Sequence, residues 1–244
     1  MKKTIFLSLS ILCFYSVSAQ LTVQGGYTAQ QLAEILAGPG FTVTNATLTG
    51  AAVASGSFNG TNSNIGASSG VILCSGNIND AVGPNNQSGA GSGNGMPGIP
   101  ELDAIAGVST FDAVVLQFDF EVQTEFITFN YVFASEEYLE FVDAFNDVFA
   151  FWISGPGISG WENIALIPNT TVPVTINNIN DQDYWQYYVN NGDGSTPGLN
   201  PTVQYDGFTK LLTAKRNGLI PCETYTLKLA IADASDGVYD TGVF

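Results

Sequence analysis

Hydrophobic positions along this chain recur with a period of two. Val114, Leu116, Phe118 and Phe120 alternate with Val115, Gln117, Asp119 and Glu121, and after a turn the apolar face resumes at Ile127, Phe129, Tyr131 and Phe133. Tyr225, Leu227, Leu229 and Ile231 repeat the pattern against Thr226, Lys228 and Ala230. Alternation of this kind puts every second side chain on one face, the signature of half-buried strands. Further strands are predicted over 41–48, 70–74, 148–153, 164–167, 172–176 and 208–213, separated by Gly, Asn and Pro turns. One segment has a helical period instead. Thr28 offers an N-cap with Gln31 three residues on, Ala29, Leu32, Ile35 and Leu36 share a face, and Gly38-Pro39-Gly40 stops the run. The expected fold is therefore all-β, an antiparallel, jelly-roll-like β-sandwich with one short N-terminal helix. Residues 77–100, rich in Gly, Asn, Ser and Pro, predict a long mobile loop that ends in a short helical turn over 101–105.

The two ends read differently from the middle. Met1-Lys2-Lys3, an apolar run over 5–17 and the small residues Val17-Ser18-Ala19 have the layout of a secretory signal peptide over 1–19. That leaves 20–244 as a single domain with no membrane span in the mature chain. Gly242-Val243-Phe244 reads as the middle of a strand, so a truncated C-terminus, with an anchor or sorting tail missing, is expected.

Charge and cysteine usage narrow the chemistry. Among 244 residues, 22 are acidic and 6 basic, for a net charge of -16, and there is no histidine. Loss of Lys2 and Lys3 with the signal changes the balance to 4 - 22 = -18. So acidic a surface offers nothing to nucleic acid. The missing histidine removes Ser-His-Asp and Cys-His catalysis and His-ligated zinc. Cys74 and Cys222 remain after cleavage, and in an oxidising compartment they are candidates for a disulfide. The alternative is that Cys74, inside Val71-Ile72-Leu73-Cys74, is a small buried hydrophobe.

Two familiar patterns are coincidences. Gly66-Ala67-Ser68-Ser69-Gly70 has the spacing of a nucleophile elbow but no histidine to serve it, and Gly93-Asn94-Gly95-Met96-Pro97-Gly98 has the dinucleotide spacing with a proline in the required helix start. The acidic clusters are more telling. Glu136, Glu137, Glu140, Asp143 and Asp147 follow directly on the strand ending at Phe133, while Asp233, Asp236 and Asp240 follow the strand ending at Ile231. Crowded carboxylates repel, and hard oxygen ligands favour calcium, so Glu136, Glu137, Asp147, Asp233, Asp236 and Asp240 are candidate calcium ligands. A solvated acidic loop and a catalytic carboxylate pair are the other two readings of the same residues. If the strands leading to Glu137 and Asp233 are neighbours in one sheet, both carboxylates leave it on the core-side face, at the same end or at opposite ends, and only same-end placement lets the clusters converge and share a calcium ion. Tyr184, Trp185, Tyr187, Tyr188, Trp152 and Trp161 form an aromatic group that suits either the core or a sugar-stacking platform.

A series of ordered strings then resembles the choice-of-anchor L domain family. They are Phe133-Ala134-Ser135-Glu136-Glu137-Tyr138, Phe145-Asn146-Asp147-Val148-Phe149, Ser154-Gly155-Pro156-Gly157, Asn163-Ile164-Ala165-Leu166-Ile167-Pro168 and Tyr205-Asp206-Gly207-Phe208-Thr209. Ala230-Ile231-Ala232-Asp233 and the run from Asp236 to Phe244 complete the series. The resemblance implies a secreted bacterial β-rich domain of large surface proteins with differing C-terminal anchors, often type IX secretion tails, and no catalytic assignment. The expectation is a non-catalytic secreted or cell-surface binding or adhesion module, calcium-stabilised, with an extracellular glycan or protein as partner. A carbohydrate-active hydrolase and a purely structural spacer are the rivals.

Overall fold

Period-two runs become strands almost wherever they occur. A computed structural model describes residues 20–196 and 201–244, so the signal-peptide reading of 1–19 lies outside the described residues. The long strand β5 (Thr110–Glu121) pairs antiparallel with β13 (Thr224–Ala234), and β13 pairs in turn with β8 (Val148–Ser154). With β2 (Val43–Thr49) on one edge and β9 (Glu162–Asn163) on the other, these make a five-stranded sheet ordered β2-β5-β13-β8-β9. The second sheet has seven strands, ordered β1-β3-β4-β14-β7-β11-β10. Their ranges are β1 Thr22–Gln24, β3 Ser55–Asn59, β4 Ser69–Cys74, β14 Thr241–Val243, β7 Phe133–Ser135, β11 Gly207–Thr209 and β10 Tyr188–Asn190. β6 (Phe126–Tyr131) and β12 (Leu212–Asn217) form a two-stranded ribbon that carries the β7–β11 pairing onward and bears Lys215 and Arg216.

All strand pairs are antiparallel, and the two sheets enclose one apolar core, the expected sandwich. Parity decides which side chains enter it. Tyr225, Leu227, Leu229 and Ile231 of β13 lie opposite Phe120, Phe118, Leu116 and Val114 of β5, and all eight are buried. The opposite parity is closed by a second helix. Ala230 and Ala232, with Val148, Ala150 and Trp152 of β8, pack under Leu102 of α2 (Pro100–Ala106). Proline at the first turn, acids beside it and Gly107 at φ 81 after it are the expected start and stop signals of such a helix. α1 (Ala29–Ala37) has the capping box anticipated at Thr28 and Gln31 and packs on β2, β5 and β4. Among the described residues no helix is long and apolar enough to cross a membrane.

Two expectations change. The segment 77–99 is tied down along its length. Ser92 N–H donates to Asp240 Oδ1 (3.0 Å), Asn94 Nδ2 donates to the carbonyls of Ser75 (2.6 Å) and Gly76 (2.9 Å), and Asp112 Oδ2 accepts from Asn94 N–H (3.0 Å). It lies as a strap across the end of the sandwich. The disulfide between Cys74 and Cys222 does not form, and both thiols are free. Cys74 is buried in β4 beside Gly242, near the C-terminal end of β13, whereas Cys222 sits in the exposed turn before that strand begins. Eleven residues of β13 at ~3.3 Å each separate those two levels, far beyond the ~7 Å that a disulfide can span.

Candidate functional site: an acid-filled end of the sandwich

Both acidic clusters arrive at the same end. β7 and β14 are neighbours, so the chain leaving β7 at Ser135 runs beside the chain entering β14 at Thr241, and Glu136 N–H donates to the Asp240 carbonyl (3.1 Å). Asp147, just before β8, accepts Ala234 N–H from the end of β13 at 3.0 Å. The clusters therefore meet, although the strands that lead to them, β6–β7 and β13, lie in different sheets and are not neighbours in one.

The register divides the acids between the two faces of the seven-stranded sheet. Ser135 pairs with Thr241 on one side and Gly207 on the other, so one residue further along Glu136 stands between Asp240 and Asp206. Gly207 pairs with Asn190 and Gly242 with Cys74, which extends the row to Asn191 and Gly76. Directly opposed residues of antiparallel strands share a face with Cβ atoms ~4.5–5.5 Å apart. Gly76, Asp240, Glu136, Asp206 and Asn191 thus form one row on the outer face, under the strap. Glycine is required at the row's end, because a Cβ on Gly76 would lie 1.8 Å from Asp240 Oδ2. The inner face carries Ser75, Thr241 and Ser135, and against them stand Glu137, Asp147 and Asp233. Ser135 Oγ donates to Asp147 Oδ2 (3.2 Å), and a bulge in β13 between Ile231 and Asp233 re-aims Asp233 toward this group.

These carboxylates are buried to a degree unusual for acids: Glu136, Glu137, Asp147, Asp206, Asp233 and Asp240 are each 0–2% exposed. Several of their oxygens have no partner, namely both of Glu136, Oε2 of Glu137, and one each on Asp206, Asp233 and Asp240. Among the described residues no basic side chain pairs with them. The two ion pairs among the described residues, Arg216–Glu162 (3.0 Å) and Lys228–Glu101 (2.9 Å), are elsewhere. Burial consequently pushes the acids up. Desolvation and then Asp206 raise Glu136 to about 10. Desolvation raises Asp206 to about 7, and desolvation with Asp80 nearby raises Asp240 to about 7. Glu137, Asp147 and Asp233 titrate together and are all raised, burial being the largest cause in each.

The structure brings all six candidate ligands to this end: Glu136, Glu137, Asp147, Asp233 and Asp240 are buried, and Asp236 stands half-buried on the flanking turn near Glu137 and Asp147, its Oδ1 accepting Val238 N–H (3.2 Å). Asp206 was missed. Its sequence signal lay in Tyr205-Asp206-Gly207-Phe208-Thr209, but only the β7–β11 register reveals it as Glu136's neighbour. Among the described residues no group of three or more Asp, Glu, Cys or His side chains stands in an arrangement that could hold a metal ion, so a cation here requires these side chains to turn.

The aromatic group does not assemble into one platform. Trp152 and Trp161 flank the Lys228 ammonium at 4.9 and 4.7 Å, Tyr188 packs on Tyr138 with ring centroids 4.9 Å apart, and Trp185 stands 66% exposed.

The family model for the choice-of-anchor L domain matches residues 21–244, nearly the whole chain. The chain belongs to the choice-of-anchor L domain family. This family consists of surface-associated, non-enzymatic modules of bacterial surface or secreted proteins. The matched span contains both acidic clusters, the strap and every described strand. No curated protein and no solved structure shows significant similarity to the chain.

Proposed function

We propose that this choice-of-anchor L domain is a non-catalytic binding module, secreted or displayed at the cell surface, whose acidic end is stabilised by calcium. The observation that carries the calcium reading is the set of buried carboxylate oxygens without hydrogen-bond partners, drawn from both clusters. An unpaired buried charge costs several kcal/mol, and a hard divalent cation offsets that cost with the ligand chemistry these residues offer. Glu137, Asp147 and Asp233 supply oxygens on the inner face, and Glu136 and Asp240 on the outer. Glu136, Glu137, Asp233 and Asp240 have orphaned oxygens to offer, whereas both oxygens of Asp147 accept hydrogen bonds, from Ala234 N–H and Ser135 Oγ. Burial argues against the hydrolase reading, since glycoside chemistry needs a sugar between two acids. The clefts at Tyr131, Phe120, Met96 and Asn190 are lined by none of Glu136, Glu137, Asp147, Asp233 and Asp240. The exposed rings of Trp161 and Trp185 support an extracellular glycan or protein as the partner.

Thermal melting of the purified domain in calcium and in excess chelator tests the calcium reading. Binding to the folded state alone at a hundredfold excess over Kd contributes about 2.7 kcal/mol, a rise in Tm of roughly 5–10 °C for a domain of this size. Equal melting temperatures in the two buffers would overturn it.

A further inference from the structure

The strap of residues 77–99 addresses only one of the two groups of acids. Asn85 Nδ2 donates to Asp206 Oδ1 (2.7 Å), and Ser92 N–H donates to Asp240 Oδ1 (3.0 Å). In both acids one oxygen is therefore pinned, while the other, Oδ2, meets no hydrogen-bonding group. Glu136 stands between them in the row and has both oxygens unpartnered. On the inner face the bonding comes from the sheets themselves. Asp147 is held by Ala234 N–H and Ser135 Oγ, and among the described residues no strap residue bonds to the Glu137, Asp147 or Asp233 carboxylate.

One further group points at the outer row, and it is not an acid. Tyr205 is 1% exposed, and its hydroxyl has no partner. The phenol lies over Gly242, where a Cβ would stand 2.5 Å from the hydroxyl oxygen. Gly242 is two residues beyond Asp240 along β14, so its open face is the face that carries Asp240. The hydroxyl thus sits beside the row, and the fields of Asp240 and Glu136 both reach it. Repulsion can leave neighbouring carboxylates unpaired, but it does not account for a buried phenol, which donates to any carboxylate it meets and is normally paired. Two oxygens of Glu136 and one each of Asp206, Asp240 and Tyr205 are accordingly buried on one face without partners.

We propose that this outer row holds a calcium ion of its own, separate from any ion on the inner face, with Asp206 and Tyr205 as ligands beside Glu136 and Asp240. The proposal rests on the calcium reading above and adds to it a second site, closed by the strap. Two ions follow from the sheet: side chains on opposite faces of β14, β7 and β11 project away from one another, with the backbone layer between them. Three carboxylates and a neutral hydroxyl are hard oxygen donors, and calcium, which takes about 6–8 oxygens, completes its shell with carbonyls or water. Among the described residues no three acids yet converge, so loading turns Glu136, which no hydrogen bond restrains, while the strap keeps Asp206 and Asp240 in place. Asn85 and Ser92 are then positioning residues, fixing where two of the ligands offer their free oxygens.

The test measures calcium stoichiometry by titration calorimetry, and the emission of terbium(III), a hard ion that takes calcium sites and is excited through a tyrosine beside it. The parent protein should bind two calcium ions. Asp206→Asn, which keeps an oxygen for Asn85, should bind one, and Asp233→Asn should also bind one, having lost the inner ion. Tyr205→Phe removes a single hydroxyl and should dim the terbium emission, as should Asp206→Asn, whereas Asp233→Asn should leave it bright. Asn85→Ala should weaken one of the two ions about 10–100-fold and leave the other unchanged. Two ions retained in Asp206→Asn, or undimmed emission in Tyr205→Phe, would each overturn the proposal. A single ion in the parent that Asp233→Asn abolishes would overturn it too, while leaving the calcium reading standing. No binding at all would remove both.

Discussion

Replacing Glu136 with Gln keeps the shape of the side chain and removes its titration. Glu136 has no hydrogen-bond partner on either oxygen, and burial with Asp206 alongside raises it from an ordinary 4.5 to about 10. A group raised in the folded state contributes stability that is complete below its unfolded value and is lost as pH climbs toward its folded value. Between 4.5 and 10 the loss from this one residue runs at about 1.4 kcal/mol per pH unit. At pH 8, 3.5 units above 4.5, that amounts to about 5 kcal/mol, and at pH 5 to less than about 1 kcal/mol. In chelator, Glu136→Gln should therefore melt higher than the parent by roughly 10–20 °C at pH 8 and by almost nothing at pH 5. In saturating calcium the advantage at pH 8 should vanish or reverse, because the amide is the poorer ligand. Melting curves across pH 5–8, with and without chelator, read all four corners. A variant that melts lower than the parent in chelator at pH 8, or a difference that does not grow with pH, would refute the reasoning.

Two further outcomes follow from the same geometry. Gly76→Ala sets a methyl 1.8 Å from Asp240 Oδ2 under the strap, so it should destabilise by about 2–3 kcal/mol in urea titration; a loss under about 0.5 kcal/mol would show that Asp240 moves aside freely. Thiol titration of the unreduced domain should find only the exposed Cys222 reactive in the native state and both Cys74 and Cys222 after denaturation, and a thiol-free denatured protein would contradict the fold.

The parts of this fold legible in the sequence are those where side-chain pattern alone dictates the outcome. β5, β6 and β13 alternate strongly, β8 is a continuous apolar run buried on both faces, all four appear where they were expected, and α1 begins at its capping box. The predicted strands over 164–167 and 172–176 reduce to isolated bridges, Leu166 with Pro173 and Val148 with Thr175. Pro168 and Pro173 bound that hairpin and donate no N–H to a ladder. β3 escaped notice because Ser-Gly-Ser-Phe-Asn has no alternating face; it is held by its neighbours β1 and β4. At the site, parity put Glu137 and Asp233 on the core-side face, but their meeting at one end comes from two different sheets facing each other, which parity within one sheet does not decide. The division of the acids between two faces could not, because it depends on β11 inserting beside β7 from about 70 residues away and bringing Asp206. The strap misled for a related reason. Asn and Ser mark loops because their side chains bond to backbone, and in Asn94 those bonds reach across to Ser75 and Gly76, while Ser92 donates its hydroxyl to Asp80 and its backbone N–H to Asp240.

The placement of the basic residues has a consequence for survival outside the cell. Between Lys3 and Lys210 the chain contains no lysine or arginine, so proteases of trypsin-like specificity find no cleavage site in the strap, in α1, in α2 or in strands β1 to β10. Of the four basic residues after that, Lys228 is covered by Trp152 and Trp161, and Arg216 is held in the β6–β12 ribbon and bonded to Glu162. Lys210 and Lys215 are left exposed, the first at the short connection that joins β11 to the ribbon and the second within β12. A nick at Lys210 cuts the chain between two segments that remain paired to the rest of the molecule by β7 and β6. Digestion should thus stall at a two-piece particle that still migrates as one folded body, a durability obtained by leaving cations out.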